Sequence, residues 1–203
     1  MSRTAPTPPP SESAPPRVRP DIIEAATRIF SERGYHAASM SEIADALGMR
    51  KPSLYHHVRK KEDLLFAIHE QLIDELIEET LAVVSTSERP ADKLRGALRV
   101  ALGFVARHRD GVTVFLQERS AVSGERWNAL VVKRDFYEQM VTRIVAEGSA
   151  AGDFVAVDPA IATKAVLAMA NWGYTWFQPD GPLSADAVAD TFATVALRGL
   201  EVR

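Results

Sequence analysis

The chain of 203 residues is 46% hydrophobic and 25% charged, a composition typical of a soluble globular protein. It contains no cysteine, which excludes disulfides, thiolate metal sites and cysteine nucleophiles. No apolar run approaches the roughly 20 residues that span a bilayer, and the N-terminus lacks an apolar secretion signal, so we expect a cytoplasmic protein. The net charge is −3, but residues 1–65 hold 10 basic and 8 acidic side chains and the remainder holds 14 and 19. The N-terminal part of the chain is therefore its basic part.

The first part of the chain is rich in proline. Seven of the 12 prolines lie in residues 1–20, mixed with Ser and Thr. Such a composition cannot pack a core. We therefore expect residues 1–17 to form a disordered arm.

Two short helices are predicted after this arm. Apolar residues recur at helical spacing from Asp21 to Arg33, and Gly34 is a stop signal. Ser39 and Glu42 then form a Ser-x-x-Glu capping box, in which each side chain satisfies an orphan backbone N–H. The second helix therefore starts at this box.

The remaining chain indicates further helices and no strand. A third, short helix carries residues 53–57, and a long fourth helix opens near residue 60. Glycines and prolines divide the rest into five more helical segments. We place them, within a few residues, at 90–107, 109–122, 125–151, 158–177 and 184–201. The predicted fold class is all-α with about nine helices.

The second and third helices carry the residue types of a DNA-binding helix-turn-helix. A recognition helix in the major groove needs small or polar exposed side chains, an apolar anchor and cations for phosphates. Leu54 supplies the anchor, Gly48 permits the turn, and Lys61 is placed to grip a phosphate at the start of the long helix. The side chains that remain for the groove and the DNA backbone are Lys51, Ser53, Tyr55 and His56.

Five short motifs follow one another in this part of the chain: Gly34-Tyr35, Ser39-Met40-Ser41-Glu42-Ile43-Ala44, Leu47-Gly48-Met49, Ser53-Leu54-Tyr55-His56-His57-Val58 and Lys61-Glu62-Asp63-Leu64. Over about residues 18–65 they resemble the DNA-binding domain of the TetR family. The resemblance implies a helix-turn-helix over residues 39–58, with Tyr55 and Lys61 at phosphates and residues 50–53 and His56 near base edges. The DNA-binding candidates are Ser39, Met40, Arg50, Lys51, Pro52, Ser53, Tyr55, His56 and Lys61.

The resemblance also implies a division into domains. Residues 18–65 form the DNA-binding domain, and residues 66–203 form a helical domain for effector binding and dimerisation. The arginines of the arm at 1–17 either are solvated or touch DNA beside the main contact.

Arg50 departs from the family pattern, which has a capping Ser or Thr at this position. Pro52 and Val58 depart as well, since Gly or Ala and Phe are common there. Loss of the cap costs about 0.5–2 kcal/mol, which Pro52 partly offsets because its fixed φ suits the first helical turn. Arg50 either exchanges the cap for a DNA contact or is merely solvated.

The pair His56-His57 invites a metal interpretation. Adjacent helical residues point about 100° apart, so the two cannot chelate one ion without other ligands. We expect His56 to face DNA and His57 to pack inward, with no metal and no cofactor.

The C-terminal part combines aromatic side chains with helices rich in Ala and Val, which suits a domain with an apolar cavity. Arg134 interrupts the apolar face that carries Trp127 and Tyr137. Its guanidinium pairs internally, for example with Glu118, or snorkels to water, or faces an anionic group of an effector. The candidate effector residues are Phe104, His108, Phe115, Trp127, Arg134, Tyr137 and Trp172.

Residues 171–184 read NWGYTWFQPDGPLS. This stretch resembles a C-terminal signature of TetR regulators of fatty-acid, phenylacetate and steroid breakdown. Several of those regulators respond to acyl-CoA thioesters, so the resemblance implies an acyl-CoA effector. It also implies that the last two helices form a four-helix dimer interface. The candidate interface residues are Ala165, Trp176, Val188, Phe192 and Val195.

The expected function is a homodimeric DNA-binding regulator, a repressor that a small molecule releases from a palindromic operator. A dimer places two recognition helices in major grooves about 34–36 Å apart. The main alternative is a repressor of drug efflux, whose cavity would hold amphipathic cations and carry acidic groups. A helical binding module without DNA function is a further alternative. Phosphate loops, paired catalytic carboxylates and nucleophile–base motifs are absent from the sequence, so we do not expect an enzyme.

Overall fold

The computed structural model describes residues 18–86, 88–118 and 121–200, so the arm predicted at 1–17 lies outside the described residues. Every regular element of the described residues is a helix, which confirms the all-α fold class. The helices are α1 (Pro20–Arg33), α2 (Met40–Ala46), α3 (Lys51–Tyr55), α4 (Lys61–Val84), α5 (Pro90–Arg107), α6 (Arg109–Gln117), α7 (Gly124–Ala151), α8 (Pro159–Asn171), α9 (Gly173–Trp176) and α10 (Ala185–Leu200).

Two of the predicted helices differ from the observed ones. The helix predicted at 109–122 ends at Gln117. The helix predicted at 158–177 is two helices, α8 and α9, and Gly173 lies at the junction. A Cβ at Gly173 would lie 2.9 Å from Leu102 Cδ1 of α5. The chain therefore bends where only glycine allows its backbone to approach α5.

The first three helices pack against one another and form a small N-terminal unit. The capping box of Ser39 and Glu42 is present at the start of α2, as predicted. Gly48 has a φ of +63°, which lets the chain turn sharply between α2 and α3. Leu54 is completely buried and anchors α3 to this unit.

The long helix α4 joins the small unit to the rest of the chain. The boundary predicted between residues 65 and 66 falls inside α4, whose buried residues contact both parts. Gly111 lets α6 cross α4 closely, since a Cβ there would lie 2.9 Å from Leu72 Cδ1. One continuous core therefore runs from α1 into the C-terminal helices.

The C-terminal helices surround α5, which contacts α4, α6, α7, α8, α9 and α10. Its buried face includes Leu94, Leu98, Ala101 and Phe104. No helix in the described part of the chain is long and apolar enough to cross a membrane. This arrangement leaves α8 and α10 with outer faces that no other described helix covers.

Candidate DNA-binding surface and ligand cavity

The short helix α3 projects polar side chains from the small N-terminal unit. Lys51, Pro52 and Tyr55 are exposed, and Ser53 is half-buried. Tyr55 is 43% exposed although it is aromatic. Because Leu54 alone is buried, the other faces of α3 are free to enter a groove.

Arg50 stands at the N-cap of α3. Its backbone is extended (φ −74°, ψ 142°) and its side chain makes no capping hydrogen bond. Pro52 lies in the first turn, as predicted. Arg50 is exposed, and no carboxylate of the described residues pairs with its guanidinium. The side chain therefore gives no cap and keeps all its donors available.

Two residues at the start of α2, Ser39 and Met40, were predicted to contact DNA, and they differ in exposure. Ser39 is exposed, and its Oγ accepts a hydrogen bond from the Glu42 N–H at 3.2 Å. The Glu42 carboxylate accepts the Ser39 N–H at 2.8 Å, which lowers the pKa of Glu42. Met40 is only 7% exposed and packs in the apolar core, so its assignment to the DNA surface is wrong. The apolar side chain is buried because α2 packs this face onto α1.

Lys61 does not present a free ammonium to a phosphate. Its Nζ donates to the carbonyl oxygens of Tyr35 at 2.6 Å, His36 at 3.1 Å and Ala38 at 2.8 Å. It also lies 4.5 Å from the centre of the Tyr35 ring. These bonds use all three donors of the ammonium. In this structure Lys61 fastens the α1–α2 turn to α4, which departs from the predicted phosphate contact.

The two adjacent histidines differ in exposure. His56 is exposed beside the α3 face, and His57 is half-buried. The exposed face of the helix-turn-helix thus combines Ser39, Arg50, Lys51, Pro52, Tyr55 and His56.

A cavity of about 250 Å³ lies within the C-terminal helices. Its apolar side comes from α4, α5 and α6, and its polar side comes from α7 and α8. The lining residues are Leu72, Ile73, Leu76, Ala101, Phe104, Val105, Val112, Phe115, Leu116, Arg134, Tyr137, Glu138, Lys164, Leu167, Ala168 and Asn171.

Four predicted effector residues line this cavity: Phe104, Phe115, Arg134 and Tyr137. Within the described residues no carboxylate lies at ion-pair distance from Arg134. The alternative pairing with Glu118 is wrong, because that carboxylate accepts the backbone N–H of Tyr35 instead. Burial raises the pKa of Tyr137, so its phenol stays protonated and can donate a hydrogen bond.

Three other predicted effector residues do not line the cavity. His108 Nε2 lies 2.8 Å from Glu75 Oε1, and its ring is tilted by 37° against that of Phe104, with the ring centres 4.5 Å apart. Trp127 is half-buried against the core at the start of α7. Trp172 is mostly exposed after α8, because the helix ends there and turns its ring outward. Helical spacing alone did not reveal these positions.

Lys164, Glu138 and Asn171 line the cavity and were missed by the sequence analysis. Lys164 Nζ of α8 lies 2.6 Å from Glu138 Oε1 of α7. A sequence signal existed for Lys164, since it is the only charged residue of the apolar helix α8. No signal in the sequence showed that Glu138 would meet it.

Two polar contacts join the small unit to α6, and a third joins α7 to the start of α4. Ser31 Oγ of α1 donates to Asp110 Oδ1 of α6 at 3.0 Å. The Tyr35 N–H donates to Glu118 Oε1 at 3.1 Å. Arg126 Nη1 of α7 donates to Asp63 Oδ1 of α4 at 2.6 Å.

The carboxylate of Asp63 holds the start of α4. Its Oδ2 accepts the backbone N–H groups of Arg59 and Lys60. Burial raises the pKa of Asp63, but the hydrogen bonds from Arg126, Lys60 and Arg59 outweigh burial and lower it. This carboxylate therefore stays charged and links α7 to the loop that follows α3.

The dimer candidates divide into exposed and buried residues. Ala165, Trp176 and Val195 are exposed, and Phe192 is half-buried with its ring 6.1 Å from that of Trp176. Val188 is only 5% exposed and packs with Leu102, Phe177 and Ala189 inside the chain. Its assignment to the interface is wrong, because α10 turns this residue toward α5.

Family models match both the N-terminal and the C-terminal part of the chain. The family model of bacterial regulatory proteins, tetR family, matches residues 22–68. The model of the tetracyclin repressor-like C-terminal domain matches residues 87–200. The chain is 25% identical over 194 residues to the HTH-type transcriptional repressor KstR2 of Mycolicibacterium smegmatis, with 95% of each chain covered.

Two further relatives are informative. The chain is 26% identical over 190 residues to the HTH-type transcriptional activator FasR of Mycolicibacterium smegmatis, which covers 90% of this chain and 82% of FasR. A solved structure of AibR in complex with isovaleryl coenzyme A and operator DNA matches with a TM-score of 0.79 and 34% identity, and covers 86% of this chain and 95% of AibR. The two family models together span most of the chain, so it belongs to the TetR family of DNA-binding transcriptional regulators and is not an enzyme.

Proposed function

We propose that the protein is a homodimeric repressor whose α3 helices read a palindromic operator and whose cavity binds an effector that weakens operator binding. The exposed polar face of α3, with Arg50 uncapped at its start, carries the DNA half of this proposal. In this proposal residues 18–65 bind DNA, and residues 66–203 bind the effector and form the dimer. Helix α4 extends through both domains. We propose repression because the relative KstR2 is named a transcriptional repressor. The relative FasR is named an activator, so a reporter assay decides between repression and activation.

The DNA surface in this proposal is smaller than the predicted one. It comprises Ser39, Arg50, Lys51, Pro52, Tyr55 and His56, with Ser53 at its edge. Lys51 and Tyr55 contact phosphates, and Arg50 reaches a base edge or a phosphate at the start of α3. Met40 and Lys61 support this surface from behind.

Dimerisation is supported by apolar side chains that stand exposed on the last helices. Ala165, Trp172, Trp176 and Val195 are exposed, and together they extend over α8, α9 and α10. Such a patch is unusual on a monomer and typical of a subunit interface. A two-fold dimer through this patch would present two α3 helices to one face of the duplex.

The effector is a molecule with an apolar body and an anionic group, and an acyl-CoA thioester fits this description. Arg134 supplies, on the polar side of the cavity, a cation that no carboxylate of the described residues pairs with. AibR, a relative with 34% identity, was solved with isovaleryl coenzyme A. An amphipathic cation fits less well, since the carboxylate of Glu138 is already neutralised by Lys164.

Operator affinity of an Arg50→Ala variant, measured against salt concentration, tests the DNA half. The duplex would carry the palindrome nearest to the protein's own gene. Loss of a phosphate contact lowers the salt slope by about 1, whereas loss of a base contact costs about 1–3 kcal/mol and relaxes sequence preference. Either result supports the assignment.

Arg143→Ala provides the matched control. Arg143 is exposed on α7, outside the helix-turn-helix, so its loss changes net charge equally without removing a DNA contact. The assignment of Arg50 fails if both variants bind the operator with the same affinity and the same salt slope as the wild type.

A further inference from the structure

The charged residues of the cavity all stand on one edge, between α7 and α8. Arg134 and Glu138 are one turn apart on α7, and Lys164 faces them from α8. Lys164, Ala168 and Asn171 line the cavity and are also exposed. The cavity therefore opens to solvent at this edge, and its charged side chains surround the opening.

An ion pair spans this opening. Lys164 Nζ and Glu138 Oε1 lie 2.6 Å apart, with both side chains partly exposed. Glu138 is four residues from Arg134, a spacing at which opposite charges on one helix can pair. Yet the Glu138 carboxylate pairs with Lys164 instead, and no other carboxylate of the described residues pairs with Arg134.

We propose that the anionic head of the effector takes Lys164 from Glu138, so that Arg134 and Lys164 hold the head together at the opening. This inference rests on the proposed effector cavity. Glu138 is then an internal competitor of the ligand. When the ligand binds, the Glu138 carboxylate turns to solvent at little cost, because an exposed ion pair contributes little to stability.

The volume of the cavity limits the apolar body of the ligand. A protein cavity of about 150 Å³ holds benzene, so one of about 250 Å³ has room for about ten non-hydrogen atoms. A short acyl or alkyl group fits, whereas coenzyme A must lie outside the opening. The anionic group at the opening is then either a carboxylate or phosphate attached directly to the acyl or alkyl chain, or a phosphate of coenzyme A outside the cavity.

Four probes with the same eight-carbon body separate these chemistries: octanoate, octyl phosphate, octanoyl-coenzyme A and octyltrimethylammonium. Their affinities for the full chain, without DNA, are measured by titration calorimetry. We expect at least one of the anionic probes to bind and the cationic probe to bind at least tenfold more weakly.

Two variants that break the same ion pair should change affinity in opposite directions. Glu138→Gln removes the competitor and should strengthen binding of the anionic probe about fivefold. Lys164→Met removes the partner and should weaken it about fivefold. A merely structural ion pair would make both variants change affinity in the same direction or not at all.

Glu147→Gln is the matched control. Glu147 also lies on α7 and pairs with a lysine of another helix, Lys93, but it does not line the cavity. Its affinity for the probes should equal that of the wild type. If Glu138→Gln strengthens binding of octyl phosphate, the anionic group that Arg134 and Lys164 hold is attached directly to the alkyl chain. If it strengthens binding of octanoyl-coenzyme A only, that anionic group is a phosphate of coenzyme A.

The proposal is overturned if no anionic probe binds, or if Glu138→Gln weakens binding while the variant remains folded by circular dichroism. Because these titrations contain no DNA, their failure leaves the operator proposal standing. Failure to bind an operator would likewise leave these affinities unchanged.

Discussion

The carboxylate of Glu118, at the end of α6, accepts a hydrogen bond from the backbone N–H of Tyr35 at 3.1 Å. Tyr35 lies in the α1–α2 turn directly before the helix-turn-helix. Phe115 and Leu116, at the end of the same α6 helix, line the cavity. One short helix therefore touches both the cavity and the DNA-binding unit.

Glu118→Ala should weaken the coupling between effector and operator. A hydrogen bond to a charged group contributes about 1.5–3 kcal/mol, so the ratio of operator affinities without and with octanoyl-coenzyme A should fall about tenfold. The ratio is measured by fluorescence anisotropy of a labelled duplex. Glu118→Gln keeps an acceptor and should retain most of the coupling. An unchanged ratio in Glu118→Ala would show that α6 does not transmit the signal through this contact.

Lys61→Met should destabilise the fold without changing the salt dependence of operator binding. The ammonium satisfies three carbonyl oxygens, so we expect the free energy of unfolding in urea to fall by about 2 kcal/mol. The salt slope should stay constant because no phosphate contact is lost.

Lys51→Met is the counterpart of this variant. Lys51 is exposed on α3, so its loss should lower the salt slope by about 1 and change stability by less than about 0.5 kcal/mol. If Lys61→Met instead lowers the salt slope and leaves stability intact, the predicted phosphate contact is restored.

These residues show what sequence could and could not predict for the DNA-binding unit. The capping box, the Gly48 turn and the buried anchor Leu54 depend on local spacing, and all were predicted. Met40 and Lys61 lie within the same motif, but their neighbours come from α1 and from the α1–α2 turn. Their roles depend on how the helices pack, which spacing along one helix does not specify.

Stability should fall between pH 7 and pH 5 because of His69. Its ring is buried beside Phe115, and Nε2 has no partner among the described residues. Burial lowers the pKa of His69 to about 4 from 6.5. Since the folded state favours the neutral ring, stability is complete above about pH 6.5 and is lost as the pH falls toward 4.

The loss is about 2 kcal/mol at pH 5, measured as the change in the free energy of urea unfolding. His69→Leu should remove that part of the pH dependence. The carboxylates with lowered pKa, Asp21, Glu42 and Asp63, lose their stabilising contribution only at lower pH. An identical pH dependence in wild type and His69→Leu would contradict this assignment.

Val195→Glu should convert the proposed dimer into a monomer. Val195 is 59% exposed on α10, and a carboxylate placed there would lose its water in the interface. Sedimentation velocity measures the outcome. Val132→Glu is the control, since Val132 is 68% exposed but belongs to α7, outside the helices that carry the proposed interface. Equal sedimentation of wild type and Val195→Glu would place the interface elsewhere.

The cavity was predicted only in part, for a related physical reason. Phe104, Phe115, Arg134 and Tyr137 follow from apolar helical faces with one cation between them. The opening depends instead on the ion pair between Glu138 and Lys164, which are 26 residues apart in sequence. Val188 is buried and Trp172 is exposed, contrary to prediction, because both environments depend on how α8, α9 and α10 pack onto α5, which spacing along one helix does not specify.

Selection of bound duplexes from a library of genomic fragments tests the central claim most directly. The account predicts enrichment of a palindromic site near the protein's own gene, with half-site centres separated by whole turns of about 10–10.5 base pairs and two protomers on each site. The helix-turn-helix surface must account for it, so Arg50→Ala with Tyr55→Phe should abolish the enrichment. Recovery of no site, or of the same site by this double variant, would contradict the account.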